Sequence, residues 1–202
     1  MNIGIDIDGV LTNDDDYIMD TASKYVFENK LESFEDPYKY EYRKFNWTKE
    51  ILDDYRKEYF WNYIEHEPAR KYASEVIRKL KEEGNHIYII TSRHNTTKDT
   101  EEGEKTRKIT KGWLKENNIL YDEVYFSPDK TKEIDSLKID IMIEDSPETI
   151  PTFVNHTHVF CYDCRYNRDM KLDNMTRVFS WYDIYMKIQK FQNKLDYINL
   201  IK

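Results

Sequence analysis

Two aspartates one residue apart, Asp6 and Asp8, end the first apolar run of the chain, Ile3-Gly4-Ile5-Asp6-Ile7-Asp8-Gly9. Ile3, Ile5 and Ile7 alternate as a β-strand does, so both carboxylates project from the opposite face near the strand's carboxyl end. Gly9 then lets the backbone turn sharply. Carboxylates this close do not both stay ionised and unpaired at neutral pH; either a cation sits between them or one keeps a proton. Both states suit phosphoryl chemistry, in which one carboxylate attacks phosphorus and the other handles the leaving group's proton. The plain alternative is a strand that ends in a solvated acidic turn.

A second acidic strand end, Ile141-Met142-Ile143-Glu144-Asp145-Ser146-Pro147, repeats the pattern, and the run His86–Ile90 delivers Thr91-Ser92-Arg93-His94 to its own end. Short apolar runs at Ile3–Ile7, Ile87–Ile90, Val124–Phe126, Ile139–Ile143 and His158–Cys161 alternate with helical patterns, which predicts a parallel sheet covered by helices. Strand carboxyl ends share one edge of such a sheet, and ligands bind there. Asp6, Asp8, Thr91, Glu144 and Asp145 therefore converge, with a lysine from the preceding loop, Lys130 or Lys132, as the local cation.

The interval from Asp16 to Pro68 differs from the rest. It is rich in Tyr, Phe, Trp, Lys and Glu and has helical periodicity, with Tyr17, Ala22, Tyr25 and Val26 on one face and Ile51, Leu52, Tyr55, Tyr59 and Phe60 on another. This reads as a helical lid inserted after the first strand. From Ala73 the core resumes with a helix through Val76, Ile77 and Leu80 that Gly84 stops. A polar loop over Asn95–Lys105 leads to a helix through Ile109, Trp113 and Leu114, and Thr131–Leu137 forms a short helix. Ser146 and Pro147 suit an N-cap and first helical position, with Pro151 ending that segment early. A last helix spans Trp181–Leu195, and Asp196–Lys202 frays.

The 202 residues suffice for one core with a large insertion. A formal charge of −8 argues against a general binder of nucleic-acid polymers or anionic membranes. A small phosphorylated substrate stays compatible, because local cations and a metal reverse the sign inside a pocket. No long apolar stretch marks a membrane span or leader, so the expected location is cytoplasmic. Cys161 and Cys164 have C-x-x-C spacing but no second ligand pair, and Cys161 ends an apolar run; a buried strand residue is the simpler reading than a zinc or redox pair.

The ordered set of motifs resembles the haloacid dehalogenase-like phosphatase superfamily: Asp6-Ile7-Asp8-Gly9-Val10 for its first motif, Ile89-Ile90-Thr91 for its second, Lys130 in Ser127-Pro128-Asp129-Lys130 for its third (Lys132 is the rival), and Ile143-Glu144-Asp145-Ser146-Pro147 for its fourth. Within it the chain is most similar to the cytosolic 5′(3′)-deoxyribonucleotidase-like family and its bacterial relatives, through Glu67-Pro68-Ala69-Arg70, Ile90-Thr91-Ser92-Arg93 and the fourth motif. Glu144-Asp145 departs from the Asp-Asp common in nucleotidases. The resemblance implies an α/β fold: a three-layer, Rossmann-like parallel-sheet core over residues 1–15 and 69–202, with a helical cap over 16–68.

It further implies that Asp6 is the nucleophile of an aspartyl-phosphate mechanism and Asp8 the general acid and base. Mg²⁺ is the implied metal, held by Asp6, the Asp8 backbone carbonyl and Asp145, with Glu144 orienting a ligand or Lys130. Thr91 and the backbone near Ser92 would bind phosphoryl oxygens, and Lys130 would neutralise charge. Arg93 and His94 either bind a further part of the substrate or form a salt-bridged loop. Arg70 either reaches the pocket or pairs with Glu67, and Arg107 near Trp113 is structural. Of the cap aromatics Tyr38, Tyr40, Tyr42, Phe45, Trp47, Phe60 and Trp61, most are expected to be cap core. The leading function is a Mg²⁺-dependent 5′-nucleotidase; a phosphatase for a sugar phosphate or other small metabolite, phosphotransfer to another alcohol, and a non-catalytic binding protein are the alternatives. Oligomeric state, a homodimer included, stays open.

Overall fold

The computed structural model describes the backbone of residues 1–33 and 35–200, with side chains through residue 193. Six strands form one sheet: β1 (Asn2–Ile5), β2 (His86–Thr91), β3 (Glu123–Phe126), β4 (Ile141–Glu144), β5 (His158–Tyr162) and β6 (Met175–Val178). They lie in the order β3-β2-β1-β4-β5-β6, and every neighbouring pair is parallel. Chain order reverses beside β1, which places the switch point, and the crevice that accompanies it, at the end of that strand.

Register explains why isoleucine dominates the inner strands. Ile5 pairs with Ile89 on one side and Ile143 on the other, so β-branched side chains meet in rows across the pleat. These residues, with Ile3, Ile87 and Ile141, bury one sheet face against α3 (Ala73–Glu82), α4 (Glu101–Glu116) and α7 (Trp181–Leu200). The opposite face, with Ile90, Met142 and Val159, is covered by α5 (Lys130–Ser136) and α6 (Ile150–Phe153). Helix, sheet and helix make the three layers. In β1, Gly4 makes room for the second face, since a Cβ there would stand 2.7 Å from Met142 Sδ.

The segment between β1 and α3 holds α1 (Asp14–Asn29), a 3-10 turn at Glu41–Lys44 and α2 (Lys49–His66). It has its own apolar cluster of Ile18, Ala22, Tyr25, Phe45, Tyr55 and Tyr59. The rings supply most of the buried area, and their hydroxyls find partners: Tyr25 donates to Asp54 at 2.9 Å and Tyr55 shares a proton with Thr21 at 2.6 Å. Lys44 is fully buried, its ammonium 2.9 Å from Asp15 and donating to the Lys39 carbonyl at 2.7 Å.

Gly84 ends α3 as expected, at φ +84°, with Asn85 N–H donating to the Leu80 carbonyl. Three expectations need correction. The polar loop stops at Thr100, whose side chain caps α4 by accepting from Gly103 N–H, so the helix starts at Glu101. Pro151 lies in the first turn of α6 and begins that helix rather than ending one, because residues 147–149 form a turn first. An additional strand, β6, was not anticipated; its Met-Thr-Arg-Val sequence lacks an apolar run. The final helix continues to Leu200, and the expectation for Ile201 and Lys202 lies outside the described residues.

Replacing Ile89, fully buried at the centre of the sheet, by alanine is expected to cost about 2–5 kcal/mol of stability, read as a lowered midpoint in urea unfolding with an unchanged slope.

Candidate active site

Asp6 follows β1 directly, its N–H donating to the Ile143 carbonyl at 3.1 Å, so the backbone stays tied to β4 beyond the strand proper. The chain then folds back on itself. The Ile7 carbonyl accepts from Leu11 N–H at 2.8 Å and Thr12 N–H at 3.0 Å, with Gly9 at φ +81°. Gly9 is needed for space as well as for its dihedral, since a Cβ would stand 2.2 Å from Asp145 Oδ2.

Lys130 is the first residue of α5, a helix capped by Asp129, whose side chain accepts from Thr131 N–H. Its ammonium is 2.8 Å from Asp6 Oδ1 and 2.7 Å from Glu144 Oε2, and the side chain is only 5% exposed. Lys132 points into solvent, 3.9 Å from Asp129, so of the two lysines it is Lys130 that the fold brings to the carboxylates. Glu144 is fully committed: Oε2 to Lys130, and Oε1 accepting from the N–H groups of Asp145 at 3.0 Å and Ser146 at 3.1 Å.

These contacts set the protonation. Burial and then the neighbouring Glu144 raise the Asp6 carboxyl to about 7, against the pull of Lys130. Burial works to raise Glu144 too, but Lys130 and the hydrogen bonds to its oxygens outweigh it and hold Glu144 below the usual carboxylate range. Asp145 has no lysine, and burial with repulsion from Glu144, Asp14 and Asp6 pushes it well up. Burial disfavours the Lys130 charge, yet its two carboxylates raise its pKa.

Asp8 has separate partners. Its Oδ1 accepts from the Tyr63 hydroxyl at 2.6 Å and from Arg93 Nε at 3.0 Å, leaving Oδ2 without a protein donor among the described hydrogen bonds. Thr91 Oγ1 accepts from Arg93 N–H at 3.1 Å, which leaves the hydroxyl proton to donate elsewhere. Asp145 is held by the Tyr166 hydroxyl, which donates to Oδ2, and its carbonyl accepts from Asn167 Nδ2 at 2.7 Å.

Asp6, Asp8, Thr91, Ser92, Arg93 and Lys130 all border one cavity of about 330 Å³, whose far wall comes from α1, α2 and the 3-10 turn. The sequence-derived set thus converges, with three qualifications. Asp145 is not among the cavity's lining residues, although its carboxylate lies within 4.8 Å of those of Asp6 and Glu144. Arg93 carries the salt-bridged alternative: it is 3% exposed, paired to Asp8 and packed against the rings of Tyr63 and Trp113. Arg70 lies outside the cavity lining. Its guanidinium donates to the carbonyls of Gly9 and Thr12 and to Asn13 Oδ1, and stacks over Tyr162 at 4.3 Å. The expected substrate contact is therefore corrected to a clamp on the turn after β1. Arg107 holds the carbonyls of Thr96 and Lys98, a structural role as expected.

Cys161 and Cys164 are buried free thiols, and burial raises Cys161 to about 12, so neither is a reactive thiolate. Sequence reasoning missed Tyr63 and Tyr166, the donors to Asp8 and Asp145, and also Arg56 and Asp14 on the cavity wall. Nothing in spacing separates two useful tyrosines from the other fifteen of the 17. Asp14 was hidden in an Asp-Asp-Asp run that suits any helix start.

Among the described residues no helix is long and apolar enough to cross a membrane. A nucleotidase of Clostridium acetobutylicum is 25% identical over 201 residues, spanning 98% of each chain. The structure of a predicted phosphatase from the same organism superposes with a TM-score of 0.63 at 16% identity, covering 94% of this chain and 98% of that one. A haloacid dehalogenase family hydrolase from Deinococcus radiodurans, solved with bound phosphate and sodium, gives a TM-score of 0.56 at 16% identity over 80% of each chain. Both structural likenesses show the shared fold. Residues 1–194 match the model of the family described as 5′ nucleotidase, deoxy (pyrimidine), cytosolic type C protein. The chain accordingly belongs to this haloacid dehalogenase-like nucleotidase family and is a phosphatase.

Proposed function

We propose that the chain is a Mg²⁺-dependent phosphomonoester hydrolase that releases phosphate from (deoxy)nucleoside 5′-monophosphates through a phosphorylated Asp6. The observation that carries this reading is the split of the two aspartates between different partners: Asp6 against buried Lys130, Asp8 against Tyr63 and Arg93.

The donor set fits a hard divalent cation. Carboxylate oxygens of Asp6, Glu144 and Asp145 lie within 4.8 Å of one another, and all three residues are buried. One lysine does not balance them, as the raised values of Asp6 and Asp145 record. All-oxygen ligation of this kind suits Mg²⁺. As the family resemblance implies, Asp6, Asp145 and the Asp8 carbonyl would hold it, while Glu144 holds Lys130 and the N–H groups of Asp145 and Ser146. When bound, the cation screens the charge between a phosphate dianion and Asp6 and favours the negative transition state.

In the proposed reaction an Asp6 oxygen bonds to phosphorus as the bond to the leaving oxygen breaks. Asp8 gives its proton to that oxygen, which departs as an alcohol. Asp8, now ionised, takes a proton from water, whose oxygen attacks phosphorus and breaks the bond to Asp6. Tyr63 and Arg93 both donate to Oδ1, so Oδ2 is the atom that carries the proton. Lys130 aims Asp6 and offsets part of the repulsion around it, and the Thr91 hydroxyl donates to a phosphoryl oxygen.

The cavity supports a neutral leaving group. Six lining carboxylates (Asp6, Asp8, Asp14, Glu41, Glu144 and Glu148) face three lining cations (Arg56, Arg93 and Lys130), so a second anionic group on the substrate is disfavoured. Aromatic walls such as Phe60, in edge contact with His94, suit a base more than an anionic sugar bisphosphate. Its volume is at the small end of small-molecule sites, about 300–1,000 Å³. We take residues 16–68 as the cap that encloses this space over a core of residues 1–15 and 69–202, consistent with the separate apolar cluster of α1 and α2. The cytosolic type of the family supports a cytoplasmic location.

Phosphate release from a panel of nucleoside monophosphates and sugar phosphates is expected to require Mg²⁺, to favour the nucleotides, and to vanish in Asp6→Asn. Inactivity of folded protein across the panel would overturn the reading. Asp8→Asn is expected to lower kcat by about 10²–10⁴-fold, measured under saturating substrate. Gly9→Ala places a methyl against Asp145 and is expected to abolish Mg²⁺ binding in calorimetry while the far-UV circular dichroism stays unchanged. Asp6 and Asp14 keep protons to about 7 and about 8 in the folded chain, where burial first and neighbouring carboxylates second raise them. Their unfolded values are near 4, so the stability from protonation is full below about pH 4 and is lost as pH rises through 7 to 8. The metal-free melting temperature should therefore fall between about pH 5 and pH 8, and saturating Mg²⁺ should offset the fall increasingly across that window.

A further inference from the structure

The carboxylate of Asp145 is connected to the inserted segment through the ring of Tyr166. Tyr166 lies in the loop after β5, where Arg177 fixes the backbone by donating to the carbonyls of Asn167 and Met170, each at 2.8 Å. Its hydroxyl donates to Asp145 Oδ2. The ring of Tyr166 meets Tyr40 edge-on with centroids 4.9 Å apart, and the Lys44 ammonium lies 5.1 Å from its centre.

Tyr40 precedes and Lys44 ends the 3-10 turn that forms part of the cavity's far wall, and Lys44 ties that turn to Asp15 in α1. Arg165, next to Tyr166, reaches the other oxygen of Asp15 at 2.8 Å. Arg43 pairs with Glu148 from the same stretch. The strap of residues 38–45 is thus seated on the loops that follow β4 and β5, and the phenol of Tyr166 is the part of that seat in direct contact with Asp145.

We propose that Tyr166 is a positioning residue that couples seating of the 38–45 strap to divalent-metal binding. With the strap seated, Tyr40 and Lys44 hold the phenol where its proton reaches Asp145 Oδ2, which fixes the other oxygen, Oδ1, as the ligand atom. Metal affinity is then higher with the strap seated, and by linkage a bound metal seats the strap in return. This inference rests on the Mg²⁺-dependent reading above.

The test combines Mg²⁺ titration by calorimetry with hydrogen exchange of the amides of residues 38–45, with and without Mg²⁺, on full-length wild type, Tyr166→Phe and Tyr40→Ala. Wild type should bind Mg²⁺ and show slower exchange in the strap when loaded. Tyr166→Phe should bind Mg²⁺ about 10- to 100-fold more weakly, and at saturating Mg²⁺ its strap should exchange as in the metal-free protein. Tyr40→Ala, which leaves the hydroxyl on Tyr166, should also weaken binding, and the double variant should be less than additive. If Tyr166→Phe does not fold, Tyr40→Ala decides alone: unchanged Mg²⁺ affinity overturns the proposal. Strap protection that follows Mg²⁺ equally in Tyr166→Phe overturns it as well. Wild-type binding without any change in strap exchange overturns the coupling and leaves the metal site standing, whereas wild type that binds no Mg²⁺ overturns the metal-dependent reading itself.

Discussion

The buried ammonium of Lys130, shared between Asp6 and Glu144, is the interaction on which the rest of the site depends. Three charges removed from water are tolerated only if each is paired and hydrogen-bonded; deleting one partner of such a set costs about 3–5 kcal/mol. The fold supplies that pairing from three separate elements. Asp6 arrives from β1, Glu144 from β4 and Lys130 from the start of α5, all at the carboxyl edge of one parallel sheet. Backbone N–H groups of Asp145 and Ser146 hold the other oxygen of Glu144.

From this arrangement comes a division of labour among acids of like type. Asp6 faces a lysine and is buried, which suits an attacking oxygen. Asp8 is more open and faces a phenol and a guanidinium, which hold one of its oxygens and leave the other without a protein donor among the described hydrogen bonds. Asp145 stands without a cation, which suits a metal ligand. The environment of each carboxylate, and not its identity, separates the three roles proposed for them. The clamp of Arg70 on the turn and the absence of a Cβ at Gly9 bring these groups to the required distances.

Much of this was legible in the sequence because it is local. An apolar alternation ending in Asp-x-Asp-Gly encodes a strand, its edge and its turn within seven residues, and the same holds for Thr91 and Glu144-Asp145. Parallel topology then forces these ends together whatever the intervening chain does. What stayed hidden depends on contacts remote in sequence. Arg70 donates to carbonyls 58 and 61 positions away, which no spacing rule reveals. Tyr63 and Tyr166 look like the packing tyrosines around them until the insertion is folded over the core. The edge strand β6 was missed because one neighbour suffices to hold it and its sequence carries no buried run; Arg177 on it serves the adjacent loop instead. Pro151 was misread because proline marks the first turn of a helix as readily as its end.

The most direct test of the account is acid quenching during turnover of a nucleoside monophosphate with Mg²⁺, followed by mass spectrometry of the peptide that contains Asp6. A phosphoryl group is expected on Asp6 that accumulates during turnover and decays as substrate is exhausted, and that no other aspartate carries. Steady phosphate release with Asp6 unmodified at every quench time, in wild type and in Asp8→Asn alike, would contradict it and point to direct attack by water.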